Sequence, residues 1–427
     1  MTPLLFRPSV LRVSGVAATI VLALTGPGLA QRPQPATSIA AERLTRVDRV
    51  LDEMVADGRL PGAVALVLYD GKPVYERAVG SADKEAGRTM TTDTLFRIAS
   101  QTKAITSAAA LILMEEGRLQ LSERVSKYLP SFAQTKVAVR NGDVVDFVPA
   151  KRQITIKDLM THTAGISYGT DRSVAALYEA KGLGPAAGLG WYTADKDEPI
   201  CDTMDRLGTL PFVAQPGEAW VYGYNTDILG CIVERASGQP LDVFIRTRIT
   251  DPLKMMDTFF FVPQEKAGRL SAVYASGADG KAVRAADGAK GQGSYVSGPR
   301  RSFAGGAGLL STARDYARFL EMVRLGGALD GVRILSPRTA EVMTINASGT
   351  LHSTTGLGHS IAFETTEFFG GNGLAAAGAY GWGGAYGSVY RVDPSDKLTM
   401  VFMMQLMPNT TDIREKFPTL VYQALVR

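Results

Sequence analysis

Two apolar hairpin patterns stand near opposite ends of this chain and constrain its fold more than any other feature. The first is GAVALVLYDGKPVYERAVG, residues 62–80, turned at Asp70-Gly71. Asp-Gly between apolar runs is a strong hairpin signal, because a two-residue turn needs positive φ at its centre. The second is GSVYRVDPSDKLTMVFMMQL, residues 387–406, turned at Asp-Pro-Ser-Asp. Most segments between and around them have helical spacing: the run ending near Gly58, IKDLMTH, TDILGCIVERASG, STARDYARFLEMVRLGG and the C-terminal TDIREKFPTLVYQALVR. Strands near both ends and helices in the middle argue an α+β fold rather than an alternating parallel sheet. The expected architecture is an antiparallel sheet flanked by helices, built from residues 31–135 and 300–427. A mostly helical domain is inserted at 136–299, and the cleft between the two is the default site. GADGKAVRAADGAKGQG, residues 277–293, reads as a surface loop.

With 427 residues, 45% of them hydrophobic, the chain can bury a large core. Its 46 basic and 42 acidic residues are scattered, which excludes the basic stripe of a nucleic-acid binder. The N-terminus differs from the rest. Arg7 and Arg12 precede the apolar run VAATIVLAL, and GPGLA ends in small residues at Ala30. That is the order of a secretory signal, residues 1–30. The run is too short for a bilayer core of ~30 Å, so export to the periplasm or medium is expected, with cleavage near Ala30 and no stable membrane anchor. The chain has two cysteines, Cys201 and Cys231. An exported protein can pair them, but the apolar helical setting of Cys231 equally suits a free buried thiol. Their surroundings do not make a metal site, and no cofactor is implied.

Three serines compete as nucleophile. GISYG, residues 165–169, fits the G-x-S-x-G elbow at Ser167, but a helical pattern stands where the elbow needs a strand. SADK, Ser81 to Lys84, has S-x-x-K spacing in a polar turn, where no helix puts both groups on one face. SQTK, Ser100 to Lys103, opens the apolar helix AITSAAALILMEEG. Residues three apart on a helix share a face, so the lysine amine can reach the hydroxyl and accept its proton. The helix start adds free N–H groups near developing oxyanion charge. A helix-capping role for Ser100 is the plain alternative.

Together with four further blocks, SQTK resembles the serine β-lactamase and penicillin-binding-protein superfamily. The particular likeness is to the class C β-lactamase branch and its esterase relatives, the family VIII carboxylesterases. The blocks are LMTHTAGI, PGEAWVYGYNTDILG, GGAGLLSTARDYARF and YGWGGAYGSVYRVDP, in the family's order, and the likeness spans roughly residues 40–427. The resemblance implies a β-lactamase-like fold, Ser100 as acylated nucleophile, Lys103 as its activating amine and Tyr222 as the tyrosine that passes a proton to the leaving group. The N–H groups of Ser100 and Ala385 form the implied oxyanion hole. Trp382-Gly383-Gly384 stand where the lactamases have lysine-threonine-glycine, and Tyr224 and Asn225 stand at the substrate side of the second motif. Within the resemblance, GISYG becomes a structural turn.

Two departures separate the chain from the lactamases. Tyr224 occupies the asparagine position of the second motif, with Asn225 one step later, and Trp382 replaces the motif lysine. Both departures resemble the esterases. The expected function is therefore an exported serine carboxylesterase acting on a small-molecule ester. A β-lactamase or D-amino-acid peptidase is the alternative enzyme. A penicillin-binding sensor that acylates without turnover is the alternative of a different class.

Overall fold

The computed structural model describes residues 38–183, 195–288, 291–352 and 355–426; the signal-peptide segment lies outside them. The two hairpins of the sequence meet in one sheet. Its strands are β1 (Gly62–Tyr69), β2 (Lys72–Asp83), β3 (Arg88–Thr89), β4 (Leu357–His359), β5 (Glu364–Thr366), β6 (Tyr380–Gly383), β7 (Val389–Asp393) and β8 (Leu398–Met404). The order is β4-β5-β6-β7-β8-β1-β2-β3, and every pairing is antiparallel. The join between the chain ends is β8 on β1, with Val401 opposite Leu66 and Phe402 opposite Ala65. The expected α+β class and the sheet built from both ends are therefore what the chain forms.

The near-continuous apolar run of β1 follows from burial on both faces. Ala63, Ala65 and Val67 face one layer with α1 (Ala41–Ala56) and α6 (Ile413–Tyr422), through Leu44, Val47, Leu51, Phe417 and Val421. Val64, Leu66 and Leu68 face the opposite layer. There lie α2 (Thr102–Glu115) and α5 (Ala313–Arg324), the latter contributing Tyr316, Phe319 and Leu320. Helix α2 is buried along nearly its whole length and packs against α4 (Asn225–Ser237). Its largely apolar sequence is that of a helix buried on all sides, as a helix through the core must be. The same core continues into the middle of the chain through Leu159, Ile228 and Phe244.

Strands also occur within the span expected to be mostly helical, 136–299, and in its expected surface loop, 277–293. Lys136–Asn141 and Val144–Pro149 pair as a hairpin around the positive-φ Gly142. Within 277–293, Ala282–Arg284 pairs with Tyr274–Ser276. The cysteine alternative resolves as well: Cys201, on α3 (Ile200–Leu207), is disulfide-bonded to Cys231 on α4.

Candidate active site

Ser100 is positioned by three constraints. The short strand Phe96–Arg97 pairs with Leu310–Ser311, and Ile98 N–H donates to the Leu309 carbonyl at 3.1 Å. Ala99 then turns at φ 45°, a left-handed conformation rare outside glycine, and a single tight turn, Ala99–Gln101, leads into α2. No side chain caps these helix starts, so the capping reading of Ser100 fails. One turn on, Lys103 Nζ lies 3.3 Å from Ser100 Oγ. The amine also donates to Tyr168 Oη at 3.0 Å and to the Gly306 carbonyl at 2.8 Å. Gly306 N–H is in turn bound by the Asp227 carboxylate at 3.0 Å. The GGAG block thus holds the lysine, through α4 and the loop before α5.

Tyr222 closes the other side. Its ring centre is 4.6 Å from Lys103 Nζ and its plane is stacked on Trp220 at 5.7 Å. Trp382, on β6 opposite Tyr390, donates its indole N–H to Tyr222 Oη at 3.2 Å. Gly384 must be glycine, since a Cβ there would lie 2.7 Å from the Ile98 carbonyl. That close approach brings the end of β6 onto the turn that carries Ser100. Ser100, Tyr222, Trp382, Gly383, Gly384 and Ala385 line one cleft of about 660 Å³.

Tyr224 and Asn225 are not on its wall, which corrects their assignment to substrate. Tyr224 is 1% exposed and donates to the Leu183 carbonyl at 3.0 Å. Asn225 is fully buried; its amide donates to His162 Nδ1 at 3.0 Å and to the Val221 carbonyl at 3.1 Å. The residue after Tyr222 is a glycine pressed against Ile166 and Ser167. The chain therefore turns inward, and the next two side chains point to the core. Ser167 is also buried, its Oγ accepting Gly169 N–H at 3.1 Å as a turn. Ser81 is paired within the sheet, opposite Thr89.

Tyr168 was missed. Its only signal was adjacency to Ser167 in GISYG, and its contact with Lys103 spans 65 residues of sequence. Burial pushes its hydroxyl pKa well up, so it is held as a neutral phenol. Also unread were Arg391, Arg414, Glu364 and Asn372 on the cleft wall. Arg391 is tied to Asn372. The chain's three histidines gather behind the site: His162 is 5.2 Å from His359, and His359 is 6.0 Å from His352, ring centre to ring centre. Burial drives the His162 pKa well below the ordinary imidazole value and lowers that of His359 to about 3. Both are neutral hydrogen-bonding groups. Among the described residues no cluster is built to hold a metal.

A serine, an amine and two phenols converging on a cleft is the equipment of acyl transfer. The profile of the Beta-lactamase family matches residues 47–424. The chain belongs to the β-lactamase family. Within it, esterase EstB of Burkholderia gladioli is 32% identical over 379 residues, 85% of this chain and 91% of EstB. The β-lactamase-family fold is shared with the solved structure of EstCE1, a hydrolase with promiscuous acyltransferase activity. Its TM-score is 0.74 at 24% identity, covering 91% of this chain and 99% of that one. Simvastatin synthase LovD from Aspergillus terreus aligns with TM-score 0.73 at 23% identity, over 90% and 98% of the two chains.

Proposed function

We propose that this chain is an exported serine esterase that cleaves small carboxylic esters through an acyl-enzyme on Ser100. Lys103 takes the hydroxyl proton as Ser100 Oγ attacks the ester carbonyl. The N–H groups of Ser100 and Ala385 hold the oxyanion, and Tyr222 passes a proton to the departing alkoxide. Water then enters by the reverse route, releasing the acid and restoring Ser100. Tyr168 Oη accepts from Lys103 Nζ and so steadies the amine that moves the protons.

The observation that carries the reading is the Trp382 N–H on Tyr222 Oη at 3.2 Å. It orients the phenol without supplying a full charge, and the indole ring forms an apolar wall suited to a neutral acyl or alkoxy group. The relation to EstB supports the same substrate class. Export is supported by the charge and hydropathy order of residues 1–30 and by the Cys201–Cys231 disulfide, which suits an oxidising compartment. N-terminal sequencing of periplasmic protein should begin near Gln31; Met1 on active soluble protein contradicts export.

One observation favours the lactamase or peptidase alternative: Arg391 and Arg414 line the cleft, so cations are present even though Trp382 replaces the motif lysine. Arg414 is exposed, and an exposed ion pair contributes only about 0–1 kcal/mol. That is too little to replace a desolvated partner for a substrate carboxylate.

The nucleophile assignment is tested by organophosphonate labelling and intact-mass spectra. Ser100→Ala should lose the adduct, while Ser167→Ala and Ser81→Ala keep it. An adduct that survives in Ser100→Ala and vanishes in folded Ser167→Ala overturns the assignment.

A further inference from the structure

Arg97 lies three residues before Ser100 and is 2% exposed. Its guanidinium donates to neutral oxygens: the Ser271 carbonyl at 2.7 Å, Gln405 Oε1 at 3.3 Å and the Gln292 carbonyl at 2.5 Å. The Tyr295 ring lies 5.2 Å from its central carbon, and its Nε is buried without a partner. Among the described residues it has no ion-pair partner. Four charged or titratable groups face it: Tyr386, Tyr295, Arg284 and Asp195. Asp195 is bonded to Ser294, and Arg284 is paired with Asp83 and Asp287. The Tyr386 hydroxyl is buried without a hydrogen-bond partner, and burial holds it protonated.

A buried cation without a counter-ion is strongly disfavoured, because its lost hydration is not offset. Two carbonyls and an amide oxygen could be served by neutral donors, so hydrogen bonding alone does not account for the charge. Its place in the fold does. Gln405 clamps the Arg97 backbone from both sides, accepting its N–H at 3.2 Å and donating to its carbonyl at 3.0 Å. The next residue, Leu406, donates its N–H to the Tyr386 carbonyl at 2.9 Å, and Tyr386 directly follows Ala385. The Ile98 carbonyl meets Gly384 from the other side. Arg97 therefore sits at the junction of the two segments that carry the N–H groups of Ser100 and Ala385.

We propose that Arg97 is a positioning residue for acylation: its fork locks the strained turn at Ala99, and its unneutralised charge favours the anion formed between the Ser100 and Ala385 N–H groups. The proposal rests on Ser100 as nucleophile. It does not depend on which ester, or which lactam, is the substrate.

The test is the rate of Ser100 phosphonylation by a p-nitrophenyl alkylphosphonate, read by intact mass from pH 5 to 9 and expressed relative to wild type at each pH. Arg97→Gln should be slower by at least ~10-fold throughout, the scale of one lost anion-stabilising interaction. Arg97→Lys should approach wild type at low pH and fall to the Arg97→Gln level as pH rises. A buried amine loses its proton far below its usual value, whereas a guanidinium keeps its charge. Gln405→Glu sets a carboxylate against the fork and should be slowed at least ~10-fold. Gln405→Met loses both the accepting and the donating bonds of the amide without adding charge, and should nonetheless be slowed less. Equal, pH-independent ratios for the two Arg97 variants would overturn the charge role. If neither Arg97 variant folds, the Gln405 pair decides it, and equal rates for Glu and Met reject the proposal. Failure of wild type to hydrolyse esters, with labelling intact, rejects the esterase reading and leaves this test standing.

Discussion

At the scale of single residues, the site divides by how local its signals are. Ser100 and Lys103 were legible because helix geometry alone brings groups three apart together. Tyr222 and Trp382 were legible only through their place in ordered blocks. Tyr168 was not legible: it reaches Lys103 by tertiary folding, and nothing in its own neighbourhood marks that. Tyr224 and Asn225 were misplaced for the complementary reason, since a motif gives adjacency but not which side chain turns inward. The network around Lys103 makes its members act as a unit, so their losses should not add. Lys103→Ala and Tyr222→Phe should each lower kcat by at least ~10², the range of general acid–base groups, and the double variant should be little worse than either. Multiplicative losses in steady-state kinetics would show that one of them only packs. Trp382→Phe keeps the ring and loses the N–H; a fall in kcat of about 2–10-fold is expected, the scale of one hydrogen bond.

At the scale of elements, strands buried on both faces were easy to read and half-exposed ones were not. The apolar runs at 62–69 and 398–404 announce themselves, whereas the 136–149 hairpin is largely exposed and lacks clean apolar alternation. Its Gly142-Asp143 turn was the available signal. The pairing of Cys201 with Cys231 depends on α3 lying against α4, which spacing cannot supply. That bond closes a loop of 30 residues, and loop closure of that length corresponds to about 3–4 kcal/mol in the chain-entropy account. Reduction, or Cys201→Ser with Cys231→Ser, should lower the melting temperature by several degrees while ester turnover at 25 °C persists, because neither cysteine lines the cleft. An unchanged melting curve by calorimetry after complete reduction would contradict it.

At the scale of the whole molecule, the sheet joins residues more than 300 positions apart, and the Ser100 cleft opens beside the end of strand β6. Behind it, His162 and His359 are buried and neutral, with pKa values below the imidazole range, that of His359 at about 3. The unfolded chain takes up their protons from about pH 6.5 downward, whereas the native protein does not until about pH 3 for His359. Their contribution to stability is therefore complete above about pH 6.5 and is lost as pH falls, by about 1.4 kcal/mol per pH unit per histidine. Urea titrations from pH 7 to 4 should show a shallower decline for His359→Gln than for wild type; parallel curves would exclude the buried histidine as a cause. An uncharged indole meets the Tyr222 phenol where a lactamase-type cleft would offer a lysine, and a substrate carboxylate taken into the cleft must be offset by a partner. One preparation of wild-type protein should be assayed with short-chain p-nitrophenyl esters and with a chromogenic cephalosporin. The ester should lead in kcat/KM by at least ~10², about 2.7 kcal/mol of transition-state stabilisation; a cephalosporin hydrolysed as fast as the best ester would contradict the esterase account.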